Sequence, residues 1–272
     1  MKFSVLMSLY DKEKPEYLDE ALNSISINQD LKPNEIILVL DGPINDKLRN
    51  VIDKYKKKIT NLKVLKLDKN MGLGLALREG LNICENNLVF RMDTDDISHR
   101  ERFKKQVEFF KRNPEIKILG TNAIDFDVDI KNELNYRKFP QKNREIKKFS
   151  KRRCPFLHPT VGFYKDIILE VGSYRDLLFF EDYDLFLRIL NKYKGYNLQE
   201  NLLYFRSNIN VFKRRGGINY LKFEYKALKK FEKEKLMNKY YFFTNLLIRV
   251  GFRICGNKVR SKLYKKILRK DI

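Results

Sequence analysis

Apolar and polar positions fall into blocks along the first hundred residues, and the block lengths fit strands and helices by turns. Residues 2–9 form a short apolar run stopped by Tyr10-Asp11, which predicts a buried strand. Pro15 suits a first helical turn, and Leu18, Ala21, Leu22 and Ile25 follow at helical spacing. Residues 35–40 predict a second strand, which delivers Asp41 and the turn pair Gly42-Pro43. A lysine-rich helix is expected over 45–59, a third strand over 62–67, then Asn70-Met71-Gly72 and a helix to Cys84. The run Leu88-Val89-Phe90-Arg91-Met92 predicts a fourth strand and ends in Asp93-Thr94-Asp95-Asp96. Strands alternating with helices at this pitch predict an α/β fold with a doubly wound, mostly parallel sheet. All four strands end in polar residues on one rim, the edge where open α/β sheets take their ligands.

After Asp96 the alternation changes. A helix is expected over 100–112, closed by Asn113-Pro114, and a strand over 116–126, paired with 134–139. A basic helix follows over 142–151. Next come a proline-stiffened loop holding His158, a short strand over 160–164 and a short helix over 166–171. Phe179-Phe180-Glu181-Asp182 opens a further helix whose Leu185, Phe186, Ile189 and Leu190 share an apolar face. The predicted organisation is one domain over 1–210 and a basic helical extension over 211–272. That extension holds a basic loop around Lys213, Arg214 and Arg215, a charged helix over 220–238, an aromatic-rich stretch over 240–252 and a basic stretch over 258–270.

Charge sharpens this division. The 272-residue chain carries a net +22, and from residue 201 onward 20 Lys and Arg face 4 Asp and Glu, a net +16. A basic tail of this kind fits nucleic acid, an anionic membrane face or a polyanionic substrate. Cys84, Cys154 and Cys255 are odd in number and widely spaced, so no zinc or disulfide framework is indicated and a reducing cytoplasm is expected. The first apolar run is short for a signal peptide and lacks a small-residue cleavage site. No stretch approaches the roughly 20 apolar residues of a membrane span.

The acids closing the fourth strand carry the chemistry. Like charges this close repel unless a cation sits between them, and oxygen ligands in such a group suit Mg²⁺ or Mn²⁺ shared with a substrate phosphate. A solvated acidic turn is the competing reading. Asp41 offers a hydrogen-bond acceptor at a strand end with Tyr10 as a stacking face, and the competing reading is a turn-forming Asp before Gly-Pro. The acids of the 181–184 cluster are candidates for proton transfer, and the competing reading is that they only complement a helix dipole.

Taken in order, residues 4–10, residues 36–42, Asn70-x-Gly72 through Gly80, Asp93-Thr94-Asp95-Asp96, His158-Pro159 and Glu181-Asp182-x-Asp184-x-x-x-Arg188 resemble the motifs of family 2 glycosyltransferases. The chain is most similar to the bacterial, inverting members that build capsule, O-antigen or exopolysaccharide. The resemblance covers about residues 2–210. It lacks the Gln-x-x-Arg-Trp signature of processive synthases, and the chain has no tryptophan.

The resemblance implies a GT-A fold, a nucleoside-diphosphate-sugar donor (UDP above others), a glycan acceptor, free or lipid-linked, and a Mn²⁺ or Mg²⁺ cofactor. It places Tyr10 and Asp41 in the nucleotide pocket and Asn70 and Gly72 at its floor. Arg78 stands one residue away from the family's usual arginine. Asp95 becomes the direct metal ligand, with Asp93 near ribose and metal and Asp96 orienting the next turn. Asp182 becomes the general base, with Glu181 and Asp184 as alternatives. His158 contacts donor or acceptor, or is structural. Arg206, and after it Arg214 or Arg215, faces phosphate. A histidine that supplies a further metal contact in some relatives is replaced here by Arg206-Ser207-Asn208.

For the segment from Tyr240, two readings compete: a surface helix on the inner face of the plasma membrane, or a helix packed on the transferase domain with a solvated basic face. A nucleic-acid-binding protein driven by the +22 charge is the alternative from another class, and it is not expected because no recognition motif accompanies the charge. A sugar-phosphate nucleotidyltransferase is the third, and Tyr10-Asp11-Lys12-Glu13 is not its glycine-rich loop.

Overall fold

Four parallel strands carry the first half of the computed structural model, which describes residues 1–207 and 217–254. They are β1 (Phe3–Leu9), β2 (Glu35–Leu40), β3 (Leu62–Lys66) and β4 (Leu88–Arg91), ordered β3-β2-β1-β4. Nearly every residue of β1, β2 and β4 is buried, as strands covered on both faces require. Registers Leu9↔Leu40 and Leu6↔Arg91 end these strands along one rim.

The helices α1 (Pro15–Ser26), α2 (Asp46–Lys58) and α4 (Arg102–Arg112) cover one face of the sheet. Their Leu18, Leu22, Ile25, Leu48, Ile52, Phe103 and Phe110 pack on Phe3, Val5, Ile36, Leu38 and Phe90. On the other face, α3 (Leu73–Ile83) and α7 (Glu181–Lys192) pack Ala76, Leu77, Leu81, Phe186 and Ile189 on Leu6, Ile37, Val39 and Val89. Strand parity assigns the faces: residues two apart share a side, so Arg91 goes with Val89 toward α3 and α7.

The second half of the sheet is mixed. A short β8 (Gly162–Tyr164) runs antiparallel between β4 and β6 (Ile116–Phe126). The far end of β6 pairs antiparallel with β7 (Glu133–Arg137), as expected. Along its other edge β6 pairs in parallel with β9 (Lys194–Arg206), which in turn holds the two-residue β5 (Ile97–Ser98) antiparallel. Neither β9 nor β5 is expected from the sequence. The small helices α5 (Asn143–Ser150) and α6 (Lys165–Glu170) complete this half.

Past the undescribed segment, α8 (Gly217–Lys233) and α9 (Lys239–Ile254) pack on each other and on α7. Tyr220, Ala227, Leu228, Phe231, Met237 and Phe242 form a third apolar cluster with Phe180, Tyr183 and Leu187. Asn245 Nδ2 donates to the Lys151 carbonyl, and Arg249 pairs with the buried Glu224. The described part of the aromatic-rich stretch is thus a helix seated on the domain, with Tyr240, Phe243, Leu247 and Ile248 exposed on its outward face. The basic residues Lys213, Arg214 and Arg215 and the stretch 258–270 lie outside the described residues, as does Cys255.

Candidate active site

The rim formed by the strand ends gathers the acidic residues. Beyond β4 the chain turns at once, and one carboxylate oxygen each from Asp93, Asp95 and Asp96 lies within 4.8 Å of the others. Asp96 is fully buried; its Oδ1 accepts from the Arg206 backbone N–H at 2.8 Å, while Oδ2 has no hydrogen-bond partner among the described residues. Burial first, then Asp93 and Glu13, pushes the Asp95 carboxyl up to about 7. Burial, then Asp95 and Asp93, raises that of Asp96 as well. Three hard oxygen donors that resist shared ionisation, one of them an orphaned buried oxygen, fit a divalent cation such as Mn²⁺ or Mg²⁺.

Two arginines hold this turn in shape. Arg206, expected at a phosphate, has its guanidinium engaged inside the protein. It donates to the Asp95 carbonyl (2.8 Å) and the Asp127 carbonyl (3.2 Å), pairs with Glu20, and lies over the rings of Tyr17 and Phe126. Arg102, from α4, is fully buried and donates to the Arg91 carbonyl at 2.8 Å. Burial brings its pKa down to about 9. The turn is therefore gripped by β9 on one side and α4 on the other.

Arg91 is the residue the sequence reasoning passed over. It is fully buried and forms an ion pair with Asp93. Its Nε and Nη1 find no hydrogen-bond partner among the described residues. A guanidinium in a strand that is otherwise apolar is the signal that was available. Its charge reaches Asp95, Asp96, Glu181, Tyr174 and His158.

Glu13 was also missed. Its carboxylate accepts from Thr94 Oγ1 (3.3 Å) and the Lys14 N–H (2.9 Å), and burial raises its pKa, with Asp93 adding to the rise.

Glu181 and Asp182 open α7 across the same neighbourhood. Burial, then Asp182, lifts the Glu181 carboxyl to about 8; Arg91 opposes that rise and Asp93 adds to it. The acids of the 93–96 turn and those opening α7 thus act on one another electrostatically, and Arg91 acts on both groups. Asp182 Oδ1 accepts from the Tyr183 N–H at 2.6 Å, and Cys154 Sγ lies 3.8 Å from Oδ2. Asp184, the other alternative base, is fully buried and binds Arg188 through two contacts of 2.7 and 2.9 Å. Arg188 in turn ties down the Val171 and Ser173 carbonyls, so this pair braces the helix start. Phe179, just ahead, has φ +69, a costly backbone region for a bulky residue.

The remaining expected residues line the rim or its support. Asp41 is buried; its two oxygens accept from the Met71 (2.6 Å) and Gly72 (3.0 Å) N–H groups, while Asn70 Nδ2 donates to its carbonyl. The β2 end and the loop entering α3 are thereby one unit, and Gly42 and Gly72 supply its left-handed corners (φ +90 and +87). Tyr10 stands half-buried where β1 ends. Arg78, on α3, is partly exposed and pairs with its neighbour Glu79. His158 is buried, with Nε2 2.9 Å from the Tyr174 hydroxyl, and burial followed by Arg91 holds its pKa well below the usual histidine range.

Comparison with known proteins gives a consistent answer. Residues 4–172 match the model of Glycosyl transferase family 2. The chain is 39% identical over 99% of its length to the UDP-Gal:alpha-D-GlcNAc-diphosphoundecaprenol beta-1,3-galactosyltransferase of Escherichia coli, covering 97% of that protein. It is 38% identical to the amylovoran biosynthesis glycosyltransferase AmsE of Erwinia amylovora, over 97% of this chain and 98% of the other. The fold matches residues 1–349 of S. aureus TarS in complex with UDP-GlcNAc, with TM-score 0.67 at 20% identity, over 99% of this chain and 77% of that one. It also matches the mannosyltransferase PcManGT from Pyrobaculum calidifontis in complex with GDP-Man and Mn²⁺, with TM-score 0.65 at 13% identity, over all of this chain and 76% of that one. On the family match and the full-length relatives together, this GT-A-fold chain belongs to glycosyl transferase family 2.

Proposed function

We propose that the chain transfers a hexosyl group from a UDP-sugar to a hydroxyl of a saccharide acceptor built on a lipid diphosphate, in bacterial surface-polysaccharide synthesis, with inversion at the anomeric carbon. The observation that carries this reading is the electrostatic contact of two acidic groups, the clustered 93–96 turn and the Glu181-Asp182 helix start, both of them under the charge of Arg91. The full-length relative that uses UDP-Gal and a diphosphoundecaprenol acceptor supports the choice of donor and carrier.

In this reading Tyr10 stacks on the base, and Asp41 with Asn70 and Gly72 closes the nucleotide pocket floor. Asp95 and Asp93 hold the Mn²⁺ or Mg²⁺, which when bound offsets charge on the departing diphosphate. Asp182 takes the acceptor's hydroxyl proton as that oxygen bonds to the anomeric carbon. The carbon–phosphate oxygen bond breaks on the opposite face, UDP leaves, and configuration inverts. Oδ1 of Asp182 is steadied by the Tyr183 N–H, and Cys154 Sγ lies against Oδ2. Glu181, with a carboxyl near 8, stands beside it and keeps the pair from being doubly charged at neutral pH. The positive charge of the chain's last third is then read as attraction to an anionic membrane carrying the acceptor, not to nucleic acid.

The test is a donor screen with purified protein, Mn²⁺ or Mg²⁺ and a panel of sugar nucleotides beginning with UDP-galactose, reading released nucleotide. Asp95→Ala and Asp182→Asn should each abolish transfer, while only Asp95→Ala weakens metal-dependent nucleotide binding in calorimetry. Equal loss of nucleotide binding in both would break the division of roles.

A further inference from the structure

Among the described residues, the outward face of α9 meets no counterpart. Phe242, Asn245 and Met237 turn inward to the third cluster and the Lys151 carbonyl. On the opposite side Tyr240, Phe243, Leu247 and Ile248 follow at helical spacing and are 65%, 58%, 73% and 50% exposed. A stripe of large apolar side chains this open is a docking feature rather than ordinary surface.

Its rim is basic. On the neighbouring α8, Lys222, Tyr225, Lys226, Lys229 and Lys233 are exposed at spacings that put them on one side. Two contacts make this side continuous with α9: Tyr225 lies 6.2 Å from the Phe242 ring, and Lys229 lies over that ring at 5.5 Å while sharing Glu232. Phe242 in turn touches Phe243.

We propose that this face is the protein's membrane-docking surface. α9 lies in the plane of an anionic bilayer with Tyr240, Phe243, Leu247 and Ile248 among the acyl chains and the α8 lysines against the headgroups. The proposal rests on the lipid-linked acceptor of the reading above. Among the described residues no helix is long and apolar enough to cross a membrane. The described part of α9, 16 residues, spans about 24 Å. A second copy of the chain is the weaker occupant: pairing this face with itself would set two lysine stripes against each other.

The docking surface also reaches the chemistry. The cluster that seats α8 and α9 contains Phe180 and Tyr183, and the Phe179 ring packs on Tyr220 and Phe223. These residues flank Glu181 and Asp182, so a bilayer-bound α9 keeps the acceptor-side acids within one helix layer of the lipid.

The experiment is vesicle co-sedimentation of the full chain with phosphatidylglycerol-rich and with pure phosphatidylcholine vesicles. The wild type is compared with Phe243→Ser/Leu247→Ser and with Lys226→Glu/Lys229→Glu. Nucleotide release from the donor, measured without vesicles, serves as the control; none of these four residues belongs to the catalytic or binding machinery. The wild type should bind the anionic vesicles, and both double variants should bind them about tenfold more weakly, with donor hydrolysis unchanged. Serine variants that bind like the wild type overturn the proposal, as does a wild type that ignores anionic vesicles. Concentration-dependent dimerisation lost in the serine variant, without vesicle binding, overturns it in favour of self-association. Absent donor hydrolysis in every protein would indict the transferase reading instead, and vesicle binding is scored independently of it.

Discussion

At the scale of single residues, the site depends on one buried cation. Arg91 pairs with Asp93 and lowers the pKa of Asp95, Asp96 and Glu181, whose burial otherwise favours the protonated form. Replacing it by methionine removes the positive charge that opposes the rise at Glu181. The carboxyls of the site should then hold their protons to higher pH. The acidic limb of the rate profile for Arg91→Met should move upward, and Arg91→Lys should return part of that movement. A uniform loss of activity at every pH, with the limb unmoved, would show that Arg91 only fills space. The same substitution unpairs Asp93 and should cost stability of roughly 3 kcal/mol, as breaking a buried pair does. Residue identity alone hid this. Asp93, Asp95 and Asp182 stand out because acids gather at element ends, whereas Arg91, Glu13 and Arg206 acquire their surroundings only from packing. Arg206 shows the cost of reading a charge by its ordinary partner: its guanidinium is enclosed by Tyr17, Phe126 and Glu20, three residues distant in sequence.

Among the elements, the first half of the fold was legible and the second was not, for a physical reason. Strands buried on both faces must be unbroken apolar runs, so β2 and β4 announce themselves between turn residues. β9 is different: Asn197, Gln199, Glu200 and Asn201 interrupt it, and several of its residues are half-exposed. Its strand state comes from the long β6 beside it, a non-local cause with no local signature. The junction of α3 and α7 is equally invisible from spacing. A Cβ on Gly74 would lie 2.9 Å from the Arg175 carbonyl and 2.9 Å from the Glu181 Cβ, so the first turn of α7 sits directly against α3. Gly74→Ala should therefore push the Glu181-Asp182 turn aside by part of an ångström. Turnover should fall by about 10²-fold, the scale of a misplaced reactive group, with nucleotide affinity changed far less. Comparing kcat with calorimetric nucleotide binding checks this; losses of equal size in both would place the effect on the donor pocket instead.

For the whole molecule, the site is bound to stability through protons and a cation. The Asp95 carboxyl stands at about 7 in the folded chain against an ordinary 3.8, mainly because it is buried. Between those values the folded protein keeps a proton that the unfolded chain releases. The contribution of this group is therefore greatest at low pH, falls as pH rises from about 4 to about 7, and is fully lost above. Asp96 shifts in the same direction and adds to the slope. A divalent cation bound by the ionised carboxylates would compete with those protons and so offset a destabilisation that grows with pH. The rise in Tm on adding millimolar Mn²⁺ or Mg²⁺ should be larger at about pH 8 than at about pH 5.5, and Asp95→Asn should abolish the difference while raising the metal-free Tm at the higher pH. A metal-induced rise of the same size at both pH values, or one that survives in Asp95→Asn, would mean that the cation binds elsewhere. The architecture explains why such a liability persists. The 93–96 turn is clamped by Arg206 from β9 and Arg102 from α4, so the rest of the fold holds together acids that would otherwise separate.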